Sequence, residues 1–123
     1  MEFDGLSKRV IGCAIEVHRN LGPGLLESTY EQCLAYELSE AHIPFKIQHP
    51  LPVEYKGIKL DCGYRVDVIV DEKLILELKS IDDIKGIHEA QLLTNMKLAG
   101  IKKGLLINFN TRRLQEGIRR FVI

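Results

Sequence analysis

The sequence lacks several features that would assign it quickly to a class of proteins. It has no tryptophan, only three cysteines and four prolines in 123 residues, and a formal net charge of zero. Because Cys13, Cys33 and Cys62 form no C-x-x-C pair and are odd in number, neither a disulfide framework nor a thiolate zinc site is expected. We interpret the three cysteines as small buried apolar side chains.

Long apolar runs and a leader pattern are also missing. No apolar run approaches the roughly 18 residues that a membrane-spanning helix needs. Residues 1–4 lack the basic and then apolar pattern of a signal peptide. We therefore expect a cytoplasmic protein that does not associate with membranes. With 46% hydrophobic and 28% charged residues, the composition is that of an ordinary globular protein, and the length predicts a single domain over residues 1–123.

Common motifs of catalysis are absent as well. The sequence contains no G-x-x-x-x-G-K-[ST], no G-x-G-x-x-G and no G-x-S-x-G, so it gives no support to a nucleotide-dependent enzyme or a serine hydrolase. His42 and His49 have no companion at the spacing of metal ligands. The chemistry must therefore be sought in the charged residues.

Positive charge is concentrated at the end of the sequence. Residues 97–123 contain seven basic residues and one acidic residue, although the whole chain is neutral. Two interpretations remain open: the solvated face of a C-terminal helix, or a patch that contacts phosphate groups. The basic residues are Lys97, Lys102, Lys103, Arg112, Arg113, Arg119 and Arg120.

Apolar periodicity predicts the secondary structure. Helical spacing recurs in four segments, and the first helix meets a stop signal at residues 22–24. Alternating apolar residues predict three strands, and an apolar run predicts a buried fourth. The order α-α-β-β-β-α-β-α predicts an α/β fold with a mainly antiparallel mixed sheet flanked by helices, which gains a strand across the third helix. The predicted helices cover residues 6–21, 26–41, 87–99 and 111–121, and the predicted strands cover 43–55 with an interruption, 58–70 with a break near Gly63, 74–80 and 105–107.

The second and third strands are predicted to form a hairpin. If residues 71–73 form a three-residue loop, Asp67 lies directly opposite Glu77, and Arg65 lies opposite Lys79. A two-residue loop would mix polar and apolar side chains on each face, so the pattern favours the longer loop. In the favoured register the other face is entirely apolar and holds Val66, Val68, Val70, Leu74, Leu76 and Leu78.

Opposed carboxylates need an explanation, because two negative charges facing each other on a sheet destabilise it. A divalent cation between Asp67 and Glu77 would remove the repulsion, since Mg²⁺ is typically held by one or two carboxylates. Lys79 on the same face could orient a metal-bound water or stabilise charge on a phosphate. Alternatively, Lys79 and Arg65 neutralise the two carboxylates as surface ion pairs of about 0–1 kcal/mol.

These residues resemble a known family. Asp67, Glu77 and Lys79, on adjacent strands after a helix, are similar to the signature of the PD-(D/E)XK nuclease superfamily. Residues 24–30, Gly-Leu-Leu-Glu-Ser-Thr-Tyr, also match the motif of the GxxExxY protein family. Further segments that resemble this family are residues 16–19, 21–24, 63–67, 88–93 and 104–110, so the resemblance spans nearly the whole chain.

The resemblance implies a restriction-endonuclease-like core and a catalytic metal, Mg²⁺ or Mn²⁺. It implies that Asp67, Glu77 and the Leu78 backbone carbonyl bind the metal and that Lys79 is the catalytic lysine. An acidic residue on the preceding helix often completes such a site, and Glu27 fits that place. As an alternative, Glu27 stabilises only its own helix, because a carboxylate in a first turn gains about 0.3–1 kcal/mol from the helix dipole.

Three further polar residues lie in segments that resemble the family. Gln91 matches the glutamine of the superfamily's Gln-x-x-x-Tyr helix motif and is expected to contact the substrate or another site residue. The motif's tyrosine is replaced by Asn95, so no role is assigned to position 95. His18 and His88 could approach the acidic face, or each could be a helix histidine that is hydrogen-bonded to a neighbour.

Two functions follow as hypotheses. The first is a metal-dependent phosphodiesterase that hydrolyses the backbone of DNA or RNA. The second is a catalytically silent module with the nuclease fold, which binds nucleic acid or a partner protein. Neutral charge and 7% aromatic content leave few groups to hold a nucleic acid, and a homodimer would double that surface.

Overall fold

A five-stranded sheet forms the centre of the computed structural model, which describes residues 3–123. Helices cover both faces of this sheet, so the predicted mixed, mainly antiparallel sheet flanked by helices is confirmed. Helices α1, α2 and α3 cover Gly5–Leu21, Glu27–Glu40 and Gly86–Ala99. Strands β1 to β7 cover Phe45–Pro50, Val53–Tyr55, Ile58–Leu60, Arg65–Val70, Leu74–Lys79, Lys103–Asn108 and Ile118–Val122.

The strand order in the sheet is β1-β4-β5-β6-β7. Only β5 and β6 pair in parallel, and the other neighbouring pairs are antiparallel. A parallel pair needs a crossover connection, and α3 provides it, as the sequence predicts. The chain thus returns to the sheet beside β5, the strand that carries Glu77 and Lys79.

Helices α1 and α2 pack together on one face of the sheet. The carboxylate of Asp4 caps α1 by accepting a hydrogen bond from the Ser7 N–H at 2.7 Å. The helix ends at Gly22, whose φ of 69° lies in the left-handed region that favours glycine. Val10, Ala14 and Val17 recur at helical spacing and are buried against α2 and the sheet.

The other face of the sheet is covered by α3. Leu92 and Met96 of α3 pack on Ile75 and Leu106 of the central strands in a second apolar cluster. Gly104 permits this close packing, because a Cβ there would overlap the Met96 sulfur. The β4–β5 hairpin is therefore covered on both faces, and Glu77 is buried between the packed layers.

The predicted C-terminal helix over residues 111–121 is wrong. Leu114–Gly117 forms one 3-10 turn, and the chain continues as β7, in which Ile118 pairs with Ile107 of β6. Gly117 lies so close to the backbone carbonyl of Asn108 that it has no space for a Cβ. The apolar spacing of Leu114 and Ile118 is compatible with a helix, but pairing with β6 buries both side chains as a turn and a strand.

The basic residues near the C-terminus therefore do not form the face of a helix. Arg119 and Arg120 lie on β7, at the edge of the sheet. Lys103 begins β6 and forms an ion pair with Asp4 at 2.6 Å. The remaining basic residues of this region, Lys97, Lys102, Arg112 and Arg113, are exposed.

The strand predicted over residues 58–70 is broken near Gly63, as expected, and its two parts lie in different sheets. Gly63, with a φ of 73°, lies in the turn between β3 and β4. Strand β3 pairs with β2, and their cross-strand pairs place Tyr55 beside Ile58 and Val53 beside Leu60. These four side chains form an apolar surface, the hairpin face, on which Tyr55 is 58% exposed and Ile58 is 60% exposed.

The cysteine prediction holds in part. Cys13 and Cys33 are half-buried and pack against the core, whereas Cys62 is exposed in the turn before β4. Within residues 3–123, no helix is long and apolar enough to span a membrane.

Candidate active site

The β4–β5 hairpin has the predicted register from Val68 to Leu76, but the predicted pairs of Asp67 with Glu77 and of Arg65 with Lys79 do not form. Val70 pairs with Leu74 and Val68 with Leu76, so residues 71–73 form the three-residue loop. The predicted faces are wrong at one residue, because Val66 packs in the cluster below α3 whereas Val68 packs against α1 and α2. Strand β4 therefore changes face at Asp67, and regular alternation does not extend through this position.

Asp67 is half-buried beside the end of β5. Its Oδ2 accepts a hydrogen bond from the backbone N–H of Leu78 at 2.8 Å. Burial raises the pKa of Asp67, and repulsion from Glu27 adds to the increase, while the Leu78 N–H and the Lys79 charge act in the opposite direction. The side chain is thus held against β5 by a backbone donor.

Glu77 is only 6% exposed and lies on the side of the sheet that α3 covers. Its Oε1 accepts a hydrogen bond from the side-chain amide of Asn95 on α3. Burial raises the pKa of Glu77 to about 7, and repulsion from Asp67 is the next cause. Within the described part of the chain, no ion pair joins Asp67 or Glu77 to a basic side chain, so the surface ion pairs considered above do not form.

Lys79 and Gln91 contact each other at the edge of this acidic pair. The Lys79 Nζ donates to the Gln91 Oε1 at 3.4 Å. The charge of Lys79 lowers the pKa values of both Asp67 and Glu77, so the ammonium group lies within their electrostatic reach. Gln91 and Asn95 are four residues apart on α3, which places Lys79 and Glu77 under one helix face.

Glu27 lies in the first turn of α2 and is exposed. Its Oε2 accepts a hydrogen bond from the Ser80 N–H at 3.3 Å, directly after β5. The motif's tyrosine, Tyr30, is fully buried against Phe109, and its hydroxyl donates to the Gly22 carbonyl at 2.6 Å. The Leu25 N–H donates to the same hydroxyl, so Tyr30 fixes the turn that precedes Glu27.

A cavity of about 260 Å³ lies between α2 and the sheet. Besides Glu27 and Asp67, it is lined by Glu31 and Gln48, to which sequence reasoning assigned no role. Glu31 follows Glu27 by one helical turn, a spacing that could have indicated its position. The position of Gln48 depends on how β1 pairs with β4, which the sequence does not reveal.

All five predicted site residues, Glu27, Asp67, Glu77, Lys79 and Gln91, thus lie around the carboxyl end of β5. The sequence matches the family model described as the PD-(D/E)XK nuclease superfamily over residues 4–121. The chain belongs to this superfamily. Comparisons with curated proteins and with solved structures gave no match. Membership in the narrower GxxExxY family stays a prediction.

Nucleases of the PD-(D/E)XK superfamily generally use divalent metals, and the donor chemistry here fits one. Carboxylate oxygens suit Mg²⁺ and Mn²⁺, and in the described residues neither Asp67 nor Glu77 forms an ion pair with a basic side chain. The Asn95 Oδ1 is buried without a hydrogen-bond partner next to Glu77. Among residues 3–123, however, no group of three or more His, Cys, Asp or Glu side chains is positioned to hold a metal ion.

Asn95 stands where the Gln-x-x-x-Tyr motif of PD-(D/E)XK nucleases has tyrosine, and sequence reasoning gave it no role. The structure places it in direct contact with Glu77, a predicted site residue, despite the replacement. Its spacing of four residues from Gln91 could have indicated this position, because residues four apart lie on the same face of a helix.

The two helix histidines lie outside this constellation. The His18 ring Nε2 is 2.8 Å from the Thr111 carbonyl oxygen. The His88 Nδ1 accepts a hydrogen bond from the Lys85 N–H at 2.9 Å, at the start of α3. Both histidines therefore have hydrogen-bond partners, which agrees with the second of the two interpretations given for them.

Proposed function

We propose that this protein is a metal-dependent nuclease that hydrolyses the phosphodiester backbone of DNA or RNA. The observation that carries the proposal is the burial of Glu77 beside Asp67, without an ion-pair partner and within reach of Lys79. Burying an uncompensated carboxylate is costly, and a divalent cation would compensate it. Membership in the nuclease superfamily supports the same assignment.

Each residue of the proposed site has a role that its contacts support. Asp67, Glu77 and the Leu78 carbonyl would hold the metal, Mg²⁺ or Mn²⁺, and Glu27 would complete its shell from α2. When bound, the metal supplies charge stabilisation at the scissile phosphate and lowers the pKa of a water molecule. Lys79 would stabilise negative charge on the phosphate, while Gln91 would orient the Lys79 ammonium group through its Oε1.

Metal binding can be measured without knowledge of the substrate. We expect calorimetric titration of Mn²⁺ or Mg²⁺ into chelator-stripped protein to show binding to the wild type and none to Glu77→Ala. The physical reason is that the variant removes one of the two carboxylates that would hold the metal. Glu116→Ala is a suitable control, because Glu116 is exposed in the 3-10 turn, away from Asp67 and Glu77.

Equal Mn²⁺ binding by the wild type and Glu77→Ala would contradict the proposed metal site. If the wild type binds neither metal at millimolar concentration, with or without nucleic acid, the catalytic proposal fails. A protein that then still binds nucleic acid or a partner would match the silent binding module.

A homodimer is part of this proposal, because a second copy would enlarge the surface available to a nucleic acid. The exposed hairpin face formed by Val53, Tyr55, Ile58 and Leu60 supports it, since a two-stranded hairpin is only marginally stable without further packing. Small-angle scattering at micromolar protein should give the mass of two chains, and a monomeric mass would contradict the dimer.

A further inference from the structure

The backbone of Gln48 has an unusual conformation for a residue within a strand. Its φ is 49°, in the left-handed region that side chains other than glycine rarely adopt. In the described residues, the other non-glycine residues with positive φ, His42, Lys56, Asp71 and Glu72, all lie in turns, where this conformation is common. Strain at a strand position persists only when its surroundings impose it, and it is often found at functional sites.

The strained position lies directly opposite Asp67. Strand β1 pairs with β4 through Ile47 with Val68 and through His49 with Val66, so the same register would set Gln48 opposite Asp67. The ladder is interrupted at this pair. This is also the position at which β4 changes face, so the distortions of the two strands coincide.

The distortion turns the Gln48 side chain into the cavity below α2. Its Nε2 donates to the Glu31 Oε1 at 2.6 Å. Glu31 is only 7% exposed, and this bond fixes which end of the Gln48 amide is the donor. Gln48 and Asp67 line the same cavity, and the Gln48 amide lowers the pKa of the Asp67 carboxyl group.

We propose that Gln48 is a positioning residue for Asp67: Glu31 orients its amide, and the amide, together with the Leu78 N–H, holds the Asp67 carboxylate in one orientation. Donors that orient a metal-binding carboxylate typically change metal affinity by about 10–100-fold when removed. The consequence for metal binding and cleavage rests on the proposed function, whereas the consequence for Asp67 orientation does not.

Gln48→Gly separates this role from simple structural support. Glycine adopts the observed φ without strain, so the variant should melt at the same temperature as the wild type or a few degrees higher. It also removes the amide, so the Leu78 N–H···Asp67 bond should open more often. We expect hydrogen exchange of the Leu78 amide to be at least about tenfold faster, with the Leu76 amide unchanged.

His42→Gly is the matched control, because His42 also has a positive φ but lies in an exposed turn after α2. It should relieve backbone strain in the same way and leave Leu78 exchange unchanged. Gln48→Asn provides a second comparison, since asparagine tolerates the left-handed region and keeps a shorter amide. Leu78 exchange in this variant should lie between the wild type and Gln48→Gly.

Exchange is measured by NMR in chelator-treated protein, and Mn²⁺ affinity is measured by calorimetry on the same samples. A Gln48→Gly protein with wild-type Leu78 exchange would overturn the proposal. A lower melting temperature with faster exchange throughout the sheet would also overturn it, because Gln48 would then only support the fold. If the wild type binds no Mn²⁺, the proposed function fails, and Leu78 exchange still decides the role of Gln48.

Discussion

Replacing Glu77 by glutamine should stabilise the protein at alkaline pH by about 3 kcal/mol. Burial raises the pKa of Glu77 to about 7 in the folded protein, against 4.5 for an unperturbed glutamate. Because each pKa unit corresponds to about 1.36 kcal/mol, ionisation of this buried group in the fold costs about 3 kcal/mol. Glutamine has nearly the same shape, can still accept the hydrogen bond from Asn95, and carries no charge.

The direction of the pH dependence follows from proton binding. Between about pH 4.5 and 7 the folded state binds more protons at Glu77 than the unfolded state does, so the free energy of unfolding falls as the pH rises. Below pH 4.5 Glu77 is protonated in both states. Above pH 7 it is ionised in both states, and the free energy of unfolding falls no further. The difference in unfolding free energy between Glu77→Gln and the wild type should therefore grow between pH 5 and 7 and then stay constant.

Denaturant unfolding of both proteins at pH 5, 6, 7 and 8, with chelator present, measures this difference. Subtracting the two unfolding free energies cancels contributions from groups that do not interact with Glu77. Asp67 interacts with it, and removing the Glu77 charge favours Asp67 ionisation, which changes stability in the same direction. A stability difference that does not vary with pH would mean that Glu77 is not held in a costly ionised form.

The same substitution should reduce nucleic-acid cleavage by about 10³-fold. Metal-bound charge stabilisation supplies several kcal/mol to a phosphoryl transition state, and each 1.36 kcal/mol is a factor of ten in rate. A neutral amide at position 77 is a poorer metal ligand than a carboxylate. Asp67→Asn should have an effect of similar size, because Asp67 is the second carboxylate of the proposed site.

Cleavage is measured with labelled single- and double-stranded DNA and RNA in the presence of Mn²⁺. Glu116→Gln serves as the matched control, since it makes the same chemical change at an exposed residue outside the site. If Glu77→Gln and Asp67→Asn both cleave nucleic acid at the wild-type rate, a role for these carboxylates is excluded. Together, higher stability and lower activity in Glu77→Gln would indicate that the fold retains an unfavourable charge for function.

The sequence predicts the part of the site that depends on local pairing. The apolar alternation on both sides of residues 71–73 determines the register of β4 and β5, and that register brings Asp67 and Glu77 to neighbouring strands. The role of Gln91 is predicted by the resemblance to the superfamily motif instead, since its contact with Lys79 joins α3 to β5. Short-range periodicity is sufficient for the hairpin register, because that register involves a single turn.

The features that the sequence does not predict depend on packing between residues that are far apart in the chain. The contact of Gln48 with Glu31 joins β1 to α2, and neither residue has a spacing that indicates the other. The change of face at Asp67 also breaks the alternation on which the prediction for Val66 relied. Similarly, Leu114 and Ile118 suit both a helix and a turn followed by a strand, and only pairing with β6 decides between them.

The basic residues on β7 affect the tendency of the protein to aggregate. As an edge strand, β7 presents backbone N–H and C=O groups that could pair with a strand of another molecule. Arg119 is exposed on this strand and Arg120 is half-buried, so two copies pairing through β7 would bring like charges together. That repulsion opposes the growth of intermolecular sheets from this edge. A dimer would therefore have to form through another surface, such as the hairpin face.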